Sequence, residues 1–393
     1  MRFLLVSALA VLSFFGASPL AASPQKSDGL EQQIDSIFSG ITRPEAPGLA
    51  VLVKKDGKTA FEKGYGVREL RARTKNDPGT NFRLASFTKQ FTAMAIMLLI
   101  HDGKLHYEDR LSTIFPEFPA YGKSITIRHL LTHTSGLPDY EALMEQKEKV
   151  KGPIWSSQHQ IQDDEVLSLL EEQSSGKFAP GANWAYSNSG YVVLGLVVAK
   201  ISGMPYRDFL QSRIFNPSGM KHSVVYEKRI NTIGERAFGH SEKKGQFVET
   251  DQSPTSATLG DGGVYSNLGD LSKWDDALQN HTLLDEQEMA PPLTAVRLAD
   301  GSEPHWPKQP DEDNLAPGKP VAYGFGWFLD PYKDRARMWH SGGTMGFRTV
   351  IQRFTADRLT IVILCNRLDL DPKDLAEKVV DLILPSSAPA THQ

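Results

Sequence analysis

Three short stretches carry groups that together can open a carbonyl compound. The first is Ser86-Phe87-Thr88-Lys89. Residues three apart on a helix share a face about one turn apart, so a hydroxyl and an amine meet there. A capping serine followed by a surface lysine would give the same letters. The next residues argue against that reading, because residues 90–100 contain no charge and Lys89 therefore opens a helix that reads as buried. An uncompensated buried ammonium is costly, and the usual response is a lowered pKa. A desolvated amine beside a serine hydroxyl is a general base beside a nucleophile. A helix N-terminus adds N–H donors for a developing oxyanion.

The second stretch, Tyr186-Ser187-Asn188, follows the Pro180-Gly181 turn and precedes an apolar helix expected over residues 190–201. A phenol near a cation can share a proton with a leaving group, and an Asn amide can orient a carbonyl and the lysine. A loop tyrosine packed on the core beside a helix-capping asparagine would explain these residues equally well. The third is His340-Ser341-Gly342-Gly343, running on to Gly346. Glycines beside a strand let another backbone approach, and their N–H groups can complete an oxyanion hole with that of Ser86. His340 is placed to hydrogen-bond a substrate or to tune the tyrosine. The plain alternative is a Gly-rich hairpin turn with an incidental histidine.

Several elements must hold these groups. Apolar positions 30, 34, 37 and 38 follow the helix period. Residues 48–53 and 59–67 read as strands joined by a turn over 54–58, and 323–329, 349–354 and 359–364 read as further strands. Helices are expected from Ser86 to His101-Asp102-Gly103 and over 126–131, 162–172, 190–201, 206–214 and 372–384. Residues 145–162, 235–256 and the Pro-rich 300–320 read as exposed loops. Strands from both chain ends thus flank a helical middle. The order predicts an α/β (α+β) fold, with a sheet domain built from residues 30–85 and 260–384 and a mainly helical domain, residues 86–259, inserted between them.

Composition narrows the function. The chain has 393 residues, long enough for two or three domains, with ordinary globular composition. Lys plus Arg total 43 against 47 Asp plus Glu, a net charge of −4, which leaves no basic excess for nucleic acid. The lone Cys365 can build neither an intramolecular disulfide nor a zinc site, and its apolar flanks mark a small core residue. Arg2, an uncharged run over residues 3–15, the break at Gly16-Ala17-Ser18-Pro19 and the small residues Ala21-Ala22-Ser23 form the layout of a signal peptide. Residues 1–22 are expected to be removed, giving a secreted or periplasmic protein with no membrane span in the mature chain. An uncleaved anchor of about 20 residues is the competing reading.

Taken together and in this order, the three stretches resemble the signature of the serine β-lactamase and penicillin-binding protein superfamily. Residues 124–140, which include Leu130-Leu131-Thr132-His133-Thr134-Ser135-Gly136-Leu137-Pro138, are similar to a segment of its class C β-lactamase-like hydrolases. So are Ile214-Phe215-Asn216-Pro217-Ser218-Gly219-Met220 and Gly262-Gly263-Val264-Tyr265-Ser266. The resemblance implies a β-lactamase-like antiparallel sheet flanked by helices, an all-helical domain, and a site in the crevice between them. Ser86 would be the acylated nucleophile, Lys89 its base, Tyr186 the proton shuttle and Asn188 a substrate-orienting amide. The N–H groups of Ser86 and Gly343 would form the oxyanion hole, with Gly342 and His340 beside it, and no metal or cofactor would be required. His133 and Asp139 would be structural.

One departure matters. β-Lactamases and cell-wall carboxypeptidases begin the third motif with a lysine, and here His340 takes that position. A neutral imidazole grips a carboxylate poorly. The histidine form resembles D-aminopeptidases and esterases more than potent β-lactamases, so a small or short-peptide substrate is expected. A class C-type β-lactamase and a penicillin- or peptidoglycan-binding sensor without turnover remain alternatives.

Overall fold

The β-branched, apolar runs at both chain ends zip into one sheet. The computed structural model describes residues 27–309 and 315–384; the expected signal peptide, residues 1–22, lies outside the described residues. The sheet comprises β1 (Leu49–Lys55), β2 (Lys58–Tyr65), β3 (Met338–Thr344), β4 (Phe347–Phe354) and β5 (Leu359–Cys365), in the spatial order β3-β4-β5-β1-β2. All neighbours are antiparallel. β1 lies inside the sheet with Val51 opposite both Ile363 and Lys63, and residues 49–54 are buried, which is why this strand reads as an unbroken apolar run. Asp56 and Gly57, at φ 54° and 75°, make the tight turn into β2.

Helices cover both faces: α1 (Ser27–Ser39), α2 (Lys89–His101), α3 (Tyr140–Lys151), α4 (Asn188–Ser202), α5 (Leu268–Gln279) and α6 (Pro372–Ile383). Ile34, Phe38, Leu375 and Val379 from α1 and α6 pack with Val51, Val350 and Ile363 on one face. Ala50, Leu52, Ile351 and Val362 join the larger core around α2 and α4 on the other. Every residue from Lys89 to Leu99 is buried, so the charge-free stretch lies between layers and needs no polar face. Among the described residues, no single helix is long and apolar enough to cross a membrane.

Four expectations need correction. Residues 145–162 are not all loop, because α3 occupies their first part. Asp139 caps it, accepting the Ala142 N–H at 2.9 Å, and Tyr140, Leu143 and Met144 form a narrow apolar stripe beneath a charged surface. Residues 235–256 contain a hairpin, His240–Lys243 with Gln246–Glu249, whose polar strands carry no apolar alternation to announce it. Residues 323–329 form no ladder. Tyr323 pairs singly with Phe328 around Gly326, whose φ of 75° turns the chain back. Helix α5 went unanticipated because its apolar face is broken by Asp270 and Asp275, which are buried with partners: Asp270 accepts N–H groups from His222 and Ser223, and Asp275 pairs with Arg353. Cys365 is a buried strand residue, as its flanks predict.

Candidate active site

The turn that carries Ser86 is held in an unusual backbone shape. Ala85–Thr88 is a 3-10 turn leading directly into α2, so Ser86 stands just ahead of the α-helix. Ala85 has φ 51°, a left-handed conformation costly for a residue with a Cβ, and such strain concentrates at functional sites. Two neighbours enforce it. Thr349 Oγ1 donates to the Leu84 carbonyl at 2.8 Å. Gly342 approaches so closely that a Cβ there would run into the Leu84 carbonyl and the Thr349 hydroxyl, and would stand 3.2 Å from the Ala85 Cβ. That glycine is needed sterically, for the strand to dock against the turn.

Lys89 is fully buried, and its Nζ reaches three oxygens: Ser86 Oγ at 2.9 Å, Asn188 Oδ1 at 2.8 Å and the Asp261 carbonyl at 3.1 Å. A carbonyl and an amide oxygen only accept, so two of these contacts fix two N–H bonds. The third direction, toward Ser86, is where the amine holds either a proton or its lone pair. The amine lies 4.9 Å from the Tyr186 ring centre and 5.5 Å from that of Tyr191. The structure thus brings Ser86, Lys89, Tyr186 and Asn188 into one cluster.

The loop bearing Tyr186 and Asn188 is held from below. Ser187 Oγ accepts the Gly190 N–H at 3.0 Å and starts α4. His133, buried with φ 61°, accepts the Ser187 N–H on Nδ1 at 3.0 Å, and its ring packs at a tilt against that of Tyr186, centroids 4.5 Å apart. Burial, reinforced by the nearby charge of Lys89, holds its pKa well below the usual imidazole value. His133 therefore acts as a neutral acceptor, and helix capping in that segment falls to His129 with Thr126 and to Asp139.

Strand β3 is an edge strand. Trp339 exchanges backbone hydrogen bonds with Phe328 on the outer side, at 2.9 and 2.8 Å. By antiparallel alternation, Ser341 and Gly343 also turn their backbone groups outward, whereas His340 and Gly342 turn theirs toward β4. Gly343 therefore offers an N–H along the open edge, and Gly342, opposite Thr349, does not. The Ser86 N–H belongs to the first turn of its helix and has no intrahelical acceptor. These two donors are the candidates for an oxyanion hole.

His340 departs from its expected place at the substrate. It is 1% exposed. Its Nδ1 donates to the Ser341 carbonyl at 2.6 Å, which fixes the proton there and leaves Nε2 to accept from the Tyr323 hydroxyl at 3.2 Å. Burial, with the charge of Lys89 adding to it, pushes its pKa down to about 3. Because the unfolded imidazole titrates near 6.5, the unfolded chain binds this proton first as pH falls. The stability tied to neutral His340 is fully present above about pH 6.5 and drains away toward pH 3, by up to about 1.4 kcal/mol per pH unit. Urea melts at pH 7 and pH 5 should show a smaller loss for His340→Asn than for the unsubstituted chain. Equal losses would place a charged histidine in the folded protein.

The sequence carried no mark for the Asp261 carbonyl, since a backbone acceptor has no residue type. Tyr323 was visible only as one aromatic in an expected strand. Among the described residues no cluster of three or more His, Cys, Asp or Glu side chains is arranged to hold a metal ion.

The chain is 34% identical over 350 residues to penicillin-binding protein 4* of Bacillus subtilis, covering 86% of this chain and 72% of that protein. It superposes on the octameric penicillin-binding protein homologue from Pyrococcus abyssi with TM-score 0.73 at 25% identity, over 92% of this chain and 78% of the other. The D-amino acid amidase from Ochrobactrum anthropi SV3 complexed with D-phenylalanine shares the fold, with TM-score 0.74 at 24% identity, over 91% of this chain and all of the other, 100%. Residues 34–384 match the beta-lactamase family description, and the chain belongs to that family of serine hydrolases and acyltransferases.

Proposed function

We propose that this protein is a serine hydrolase, exported from the cell, that cleaves small D-amino-acid amides, peptides or esters through an acyl-enzyme on Ser86. The observation that carries this reading is the Lys89 amine, 2.9 Å from Ser86 Oγ with its other two donor directions committed to Asn188 and Asp261. As a neutral amine it takes the hydroxyl proton, and Oγ attacks the substrate carbonyl. The N–H groups of Ser86 and Gly343 bind the oxyanion that forms. The Tyr186 hydroxyl returns the proton to the leaving group, and water then releases the acyl group by the reverse route.

Two things support the substrate class. Relatives and structural neighbours include penicillin-binding proteins and a D-amino acid amidase. The neutral, enclosed His340 supplies no fixed charge where a β-lactamase lysine would stand. The test is a panel of D-amino acid amides, D-Ala-D-Ala peptides, p-nitrophenyl esters and nitrocefin, with intact mass read for an acyl adduct. Turnover of amides or esters through a transient adduct is expected. Efficient nitrocefin turnover alone would make it a β-lactamase, and a penicillin adduct that never clears would make it a sensor.

A further inference from the structure

The carbonyl that holds Lys89 belongs to Asp261, whose side chain has no task in the acyl transfer. Asp261 is only 7% exposed, and its Oδ1 has no hydrogen-bond partner among the described residues. Its Oδ2 accepts the Tyr140 hydroxyl at 3.5 Å, the outer limit of such a bond. A buried carboxyl so thinly hydrogen-bonded is costly unless a cation stands close by. The cation at hand is Lys89, whose Nζ donates to the main-chain carbonyl of the same aspartate at 3.1 Å. Carboxyl and carbonyl oxygens of one aspartate are about 3–5 Å apart by covalent geometry, so the carboxyl stands within roughly 8 Å of the amine.

The neighbours leave a charge at that place. Asp163, which opens the helix Asp163–Glu171, accepts the Leu259 N–H at 3.1 Å in the same turn. Burial, reinforced by Asp261 and more weakly by Glu227, pushes its carboxyl well above the usual range, so Asp163 holds a proton. Burial likewise keeps the Tyr140 and Tyr206 phenols neutral. Arg83 anchors the loop from below, donating to the Gly262 and Ser256 carbonyls at 3.3 and 3.1 Å. Around the amine stand the rings of Tyr186 and Tyr191 and the neutral His133 and His340.

We propose that Asp261 is a positioning residue for Lys89, its carboxylate the countercharge that keeps the buried amine basic enough to take the Ser86 proton. This rests on the hydrolase reading above and deepens it. Burial drives an amine toward a weak base, whereas a carboxylate nearby favours the ammonium, so the two effects offset. The proton still passes between Ser86 Oγ and Lys89 Nζ, and Asp261 adds no step.

The test reads Lys89 without a choice of substrate. An alkyl fluorophosphonate is reacted with the protein from about pH 5 to pH 10, and the rate of Ser86 modification is followed by intact mass. In that reaction Oγ bonds to phosphorus, fluoride leaves and Lys89 takes the hydroxyl proton. The rate climbs an acid limb as Lys89 is deprotonated. Asp261→Asn keeps the backbone carbonyl and removes the charge. It should move the limb down by about one pH unit, the size of a screened pair at this separation. The alkaline plateau should fall about threefold, because the amine has become a weaker base. Asp261→Glu should recover part of the shift, and Asp163→Asn, replacing a carboxyl already neutral, should leave the limb in place. Asp261→Ala also removes the charge and serves where Asp261→Asn does not fold. A lower plateau with an unmoved limb, which is what lost packing alone would give, would overturn the assignment and leave the acyl-enzyme intact. So would a limb moved by Asp163→Asn alone. No modified Ser86 in the unsubstituted protein at any pH would overturn the hydrolase reading, and this assignment with it.

Discussion

Ser86→Ala should lower kcat/KM by about 10⁴-fold or more and abolish the acyl adduct seen by intact mass. Nothing else among the clustered groups replaces the lost atom. Lys89 is enclosed by oxygens and sits behind the serine, so it is poorly placed to attack a carbonyl itself. The fold should survive, because the deleted hydroxyl is only partly buried and Lys89 keeps Asn188 Oδ1 and the Asp261 carbonyl. One unsatisfied donor costs about 1–3 kcal/mol. A thermal midpoint shifted by a few degrees, with activity gone, is therefore the expected pair of results. A persistent adduct in Ser86→Ala would place the nucleophile elsewhere.

The second large effect belongs to Lys89, the proposed base. Lys89→Arg should lose about 10³-fold or more in kcat, with no rescue at any pH up to 9. Arginine stays protonated and cannot accept the hydroxyl proton. Its planar head also cannot enter a fully buried niche shaped for one nitrogen with three oxygens around it, so packing suffers as well. Lys89→Met separates the two causes, being of similar length and chargeless. If base chemistry dominates, Met and Arg variants fall together in kcat while differing in melting temperature. Near-native kcat in either would remove Lys89 as base.

A cation deep in the site, at residue 340, would raise the cost of a charged Lys89 close by, and the protein instead keeps both nearby histidines neutral through burial.

Helices and strands with one strong period could be read directly. The β1–β2 turn, the charge-free helix from Lys89 and the closing helix at Pro372–Ile383 were readable because each is dictated by local spacing of apolar residues and turn formers. Ser86 and Lys89 were readable for the same reason: three residues apart across a helical turn, their side chains meet. Helix α5 and the His240–Glu249 hairpin escaped because buried acids in one, and solvent-facing polar residues in the other, erased the period.

By itself, then, the sequence determined that a hydroxyl and an amine meet at Ser86 and Lys89, and the sheet-plus-helices class, both consequences of short-range geometry. Only the tertiary structure decided how the long-range partners serve. It turned His340 inward and neutral, made Gly342 a steric necessity and Gly343 the outward donor, and recruited a backbone carbonyl to hold Lys89. Those outcomes depend on strand register and on which side of a strand meets the core, quantities fixed by contacts between residues hundreds of positions apart.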